Sequence, residues 1–116
     1  MSDATDPGSR LGFSITEELT REMLAAIGQI RANASDKAHV TALVDVILKL
    51  TDAGLGEYYL HPLERANAGL IALGTAKIGV SAARRGISAL VNKVIRGMSE
   101  EQLLSIADSM ESMLIR

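Results

Sequence analysis

The chain has 116 residues, a formal net charge of −2, 47% hydrophobic residues and no cysteine. That length supports one sizeable core rather than two, and the apolar content is far from a disordered composition. The absence of cysteine excludes disulfides, thiolate nucleophiles and cysteine-held zinc or iron–sulfur centres. The slightly acidic balance argues against nucleic acid, whose scaffolds need a basic patch or stripe. The only aromatic residues are Phe13, Tyr58 and Tyr59, so Leu, Ile, Val, Ala and Met must fill the core, and Ala, Leu and Met favour helices.

Residues 1–13 (MSDATDPGSRLGF) place Pro7, Gly8 and Gly12 among Ser, Asp and Thr and read as a flexible tail. They contain no apolar run of the kind a secretory leader needs, so cytoplasm is the expected address. Residues 14–116 are expected to form a single helical domain. Ser14 and Glu17 have the spacing of a capping box, with Glu17 and Glu18 where the helix dipole favours anions. Leu19, Met23, Ala26, Ile27 and Ile30 then recur at steps of three and four, which predicts a first helix near residues 15–33.

A second cap at Ser35 or Asp36 opens a helix over residues 36–53, with Val40, Leu43, Val44, Ile47 and Leu50 as its stripe. Gly54 is expected as its left-handed stop. The short link predicts an antiparallel hairpin of these two helices. Residues 54–61 read as a connector, and Pro62 suits the first position of a third helix, with His61 biased to extended geometry before it. This third helix is expected over residues 62–97, about 53 Å long if continuous. Gly69, Gly74, Gly79 and Gly86 each cost about 1 kcal/mol against Ala in a helix interior, so a kink near residues 74–79 is the alternative to a straight rod. Gly97 ends it. Ser99 and Gln102 form a second capping box for a last helix near residues 99–115, striped by Leu103, Ala107, Met110 and Leu114. The expected fold is therefore all-α, a four-helix bundle-like domain with one long third helix.

The most chemical stretch holds Glu57, Tyr58, Tyr59, His61 and Glu64. Imidazole and carboxylates this close could hold a divalent metal or provide an oriented base. The spacing does not match the Glu-x-x-His element of di-iron bundles, and there is one such cluster where two are needed. The plainer reading is a connector whose tyrosines cover the end of the bundle. Asp36 and His39 supply two ligands at most and suit a helix start better. Residues 74–81 resemble a phosphate loop only in part, because Val80 stands where the lysine must follow the second glycine. No catalytic residue, metal ligand or cofactor is expected from these motifs.

Residues 66–83 carry one charge, Lys77, which a membrane centre would resist by about 2.5–3.5 kcal/mol; a buried helix in a soluble protein is the expectation, with no transmembrane span. Lengths then point to a partner. The hairpin, joined to the start of the third helix, is expected to cover its N-terminal half, and the last helix one side of the other half. That leaves Ile87, Leu90, Val91, Val94, Ile95 and Met98 as a predicted interface. The leading functional expectation is a non-enzymatic helical interaction protein, a homodimer or an adaptor for another helical protein. The alternatives are a protein lying on a membrane or granule surface, and a small metal binder or enzyme centred on Glu57, His61 and Glu64.

Overall fold

The computed structural model describes residues 12–66 and 69–115, and every element in it is helical. All but two residues of the tail expected over 1–13 lie outside the described residues; Phe13 is inside and packed. Helix α1 spans Glu17–Ala32. Its start is two residues later than the Ser14 box predicts: Thr16 takes extended geometry, and its hydroxyl accepts from the Leu19 amide at 3.0 Å. Glu17 is thereby the first helical residue instead of the third, so no box forms with Ser14. Asn33 ends the helix, and Asp36 caps α2, Lys37–Leu55, by accepting from the Ala38 amide at 2.9 Å.

Gly54 does not stop α2. It lies inside the helix, and the right-handed path continues through a π turn, Gly56–Leu60, into a short α3, His61–Arg65. Glycine allows a left-handed residue but does not impose one. His61, expected extended, is helical, with φ −61° and ψ −43°. The wide π turn explains how a proline can follow it. The His61 amide bonds back to the Gly56 carbonyl, five residues earlier, which shifts the carbonyls that a proline ring would otherwise strike.

The predicted third helix is broken, but at Gly69 and not near residues 74–79, where a kink was the alternative. Helix α3 ends at Arg65, and α4 runs unbroken over Leu70–Arg96 through Gly74, Gly79 and Gly86. Gly69 precedes it at φ 94° and ψ 160°, a region nearly exclusive to glycine. Beyond Gly69, α4 runs back along α2. Arg84 pairs with Asp52 at 2.8 Å, and Arg96 reaches the Thr41 hydroxyl at 3.2 Å, so the two helices are antiparallel. Gly97 ends α4, and the Ser99–Gln102 box forms as expected at the head of α5, Glu100–Met113.

The core gathers where α1, α2, α5 and the end of α4 meet. Ile27, Ile30, Leu43 and Val44 are its most deeply enclosed side chains, joined by Met23, Val46, Ile95, Leu103, Ala107 and Met110. The apolar stripes of α1, α2 and α5 thus face inward as their periodicity requires. Exposed charges tie the edges: Lys49 meets Glu22 at 2.7 Å across α1 and α2, and Arg31 holds Asp108 at 2.7 Å and Glu111 at 2.8 Å across α1 and α5. The core therefore sits at one end of the molecule, whose extents are 48 × 32 × 32 Å.

Two outcomes test this architecture. A Cβ on Gly69 would meet no atom within 4 Å, so Gly69→Ala should destabilise by about 1–3 kcal/mol through backbone strain alone. Gly74→Ala, in open space within α4, should instead stabilise by about 0.5–1 kcal/mol; urea denaturation of the two variants measures both signs. The Arg31 bonds, then its charge, hold the Glu111 carboxyl below its ordinary value. Because the folded value is depressed, the clamp's contribution is present above the unfolded carboxyl range of about 4.3 and lost as pH falls through the folded value. Arg31→Met should lower the thermal midpoint at neutral pH, and that difference should close on acidification and shrink in high salt.

Candidate interaction surface

Helix α4 presents two unlike faces. Leu73, Val80, Ile87, Val91, Ile95 and Met98 follow one another at steps of three, four and seven, and each is buried or half-buried. This is the side that lies on α2, and Val91, Ile95 and Met98 belong to the core or pack against it. Leu70, Ile71 and Ile78 point elsewhere and are 90%, 88% and 74% exposed. Leu90 is 61% exposed and Val94 47%. Leaving a large aliphatic side chain in water forgoes about 1.5–3 kcal/mol each, and apolar surface gathered on one element marks a contact more often than isolated residues do.

The predicted interface is redistributed by this geometry. Of its six residues, Ile95 is 6% exposed within the chain's own core, and Ile87, Val91 and Met98 are half covered. Leu90 and Val94 stay open. The expected order of coverage is reversed because α4 runs back along α2. Its C-terminal half meets the hairpin, and its N-terminal half extends past α1 and α5. The most open aliphatic residues of α4 are therefore Leu70, Ile71 and Ile78, in the half that was expected to be covered.

Charge adds to the asymmetry. Helix α4 carries Lys77, Arg84, Arg85, Lys93 and Arg96 without one Asp or Glu, whereas α5 carries Glu100, Glu101, Asp108 and Glu111 without one Lys or Arg. Arg84 is spent on Asp52. Among the described residues Lys77, Arg85 and Lys93 form no ion pair.

A second apolar surface lies on the far side of the hairpin. An open groove of about 1520 Å³ runs between α1, α2 and the C-terminal segment, with Met23, Leu24, Leu50, Met110, Met113 and Leu114 among its walls. Phe13 and Ile15 reach into it from before the first cap, and Ile115 from beyond α5. Those residues are the sequence signal for the groove: apolar side chains outside the helical stripes, at both termini of the helical region.

The polar cluster is held in place by the π turn. Glu57 and His61 are one helical step apart, with His61 Nδ1 3.2 Å from the Glu57 carboxylate and Arg65 4.0 Å from its other oxygen. Tyr58 sets its ring edge against Phe13 at 5.6 Å and 89°, yet Tyr58 and Tyr59 are 46% and 51% exposed, so they do not enclose a pocket. Glu64 stands exposed on α3. Among the described residues no three His, Asp or Glu side chains converge on one point. His39 closes the turn between α1 and α2: its Nδ1 lies 2.8 Å from the Asn33 carbonyl, which can only accept, so Nδ1 carries the proton there. Residues 74–81 sit inside α4, where their amides serve the helix and not a phosphate. Among the described residues no helix is long and apolar enough to cross a membrane.

Comparison with protein-family models, with curated proteins and with solved structures finds no match to this chain.

Two ligands beside an arginine make a poor shell for a cation that normally needs three or four. Elemental analysis after dialysis against zinc or manganese should find no stoichiometric metal. Retained metal that disappears in His61→Ala would reverse this reading.

Proposed function

We propose that the protein is a non-enzymatic helical interaction protein whose working surface is the open face of α4, with a second copy of the chain as its partner. The observation that carries this reading is the exposure of Leu70, Ile71 and Ile78, at 74% or more, on a helix fastened to the chain by its other side. Such a helix lacks a neighbour, and covering it gains the burial that one chain leaves unrealised. Closed two-fold association is the simplest way for a chain to provide that neighbour itself.

Light scattering across a tenfold concentration range should give a mass near twice the 12.3 kDa of the chain. Ile78→Arg replaces a side chain that already faces solvent, so it should return the mass to that of one chain while leaving the helical circular dichroism intact. Leu90→Arg should act in the same direction. A wild-type mass of one chain at every concentration would sink the reading.

The all-basic character of α4 favours one second reading, in which the same face lies on an anionic lipid surface. It predicts co-flotation of a one-chain species with phosphatidylserine vesicles, lost in high salt, and no flotation with neutral vesicles.

A further inference from the structure

We infer that the open face of α4 packs against the outer face of α5 in a second copy, each chain giving its basic helix to the other's acidic one. This rests on the self-association proposed above and names the surface that receives α4. Among the described residues, the large non-aromatic side chains left exposed all lie on α4, on α5 or just beyond it. The same two helices carry unmixed charge: five cations and no carboxylate on α4, four carboxylates and no cation on α5. Within one chain they do not neutralise each other. α4 packs along α2 and α5 along α1, and among the described residues no ion pair joins α4 to α5.

The residues that meet stand in two matching lines. Ile71, Ile78 and Arg85 recur every seven residues, so they share one side of α4, and all three are exposed. Glu101, Leu104 and Asp108 are spaced by three and four, so they share one side of α5, and they too are exposed. Each line sets apolar side chains beside charge, positive on α4 and negative on α5. Among the described residues neither Arg85 nor Glu101 forms an ion pair, while Asp108 and Glu111 divide the single charge of Arg31. Charge also selects α5 from the surfaces a second copy offers. α1, α2 and α3 each carry both signs, and α4 against α4 would oppose two basic helices with no carboxylate between them, an unfavourable juxtaposition. The contact is reciprocal, so two copies make it twice and the assembly closes.

Charge reversal tests the pairing from both sides. Arg85→Glu with Lys93→Glu reverses the α4 face, and Glu101→Lys with Ser105→Lys reverses the α5 face. All four positions are exposed, and among the described residues none of the three charges replaced is in an ion pair. Each variant should therefore keep the helical circular dichroism of the native chain. Alone, each should associate at least about tenfold more weakly by light scattering, because both contacts then oppose like charges. Mixed in equal amounts, the two variants should form a species of twice 12.3 kDa, since every reversed helix now meets a complementary one. All four substitutions in one chain should restore self-association for the same reason.

Outcomes that overturn the inference are distinct from those that overturn the dimer. A two-chain mass for the wild type, kept undiminished by either variant alone, leaves the dimer and removes the α5 assignment. A weakened association that neither mixing nor the fourfold variant restores does the same, and gives α4 to another carboxylate-bearing segment, residues 1–11 included. A one-chain mass for the wild type removes both, and flotation of that species on phosphatidylserine vesicles would assign α4 to lipid instead.

Discussion

Leu43 and Val44 occupy adjacent positions of α2, and both are closed off from water. Adjacent residues on a helix point about 100° apart, so one neighbouring helix cannot cover both. α2 must therefore be flanked on more than one side: α1 and α4 pack against it, and α5 closes the same core from α1. With almost no aromatic volume available, this enclosure comes from many branched aliphatic side chains at close approach. The exposed ion pairs at the edges fix which helix meets which, but in water they contribute little beyond that.

The return of α4 along α2 follows from that demand and has a consequence of its own. Residues 37–65 form one right-handed path of α, π and α segments, about 43 Å long at 1.5 Å per residue. α4 has 27 residues, enough to retrace nearly all of it. α1 and α5, with 16 and 14 residues, are too short to accompany the pair to its far end. Two helices extend beyond the core, each touching the other along one side. Apolar residues on their outer sides then have no neighbour within the chain, and the unequal helix lengths, more than any motif, expose Leu70, Ile71 and Ile78.

The π turn has a similar local logic. Pro62 in a regular helix interior would remove a hydrogen bond and strike a carbonyl, and the sequence therefore reads as an element boundary. A single five-residue widening absorbs the ring and keeps the helix going. It also brings Glu57 and His61 together, two residues that a break at the proline would have separated. The pair is exposed and neighboured by an arginine, so its proximity results from the helical path and not from a built ligand shell.

Much was readable from the residues alone. The all-α class, the inward stripes of α1, α2 and α5, the Asp36 and Ser99 caps, and the ends at Asn33 and Gly97 are local matters, set by 3.6-residue periodicity and by side chains that reach backbone amides two or three positions away. The candidate surface was legible only in outline: an apolar third helix too long for its neighbours. Where the chain turned was not legible. Four glycines cost the helix nearly the same, and only tertiary packing selects Gly69 for the left-handed position while Gly74, Gly79 and Gly86 stay helical. That choice decides the direction of α4, hence which half is covered. It places Ile95 in the core and Ile78 in solvent, although both are isoleucines on one amphipathic helix, because burial depends on what lies opposite a residue and periodicity records only which side it faces.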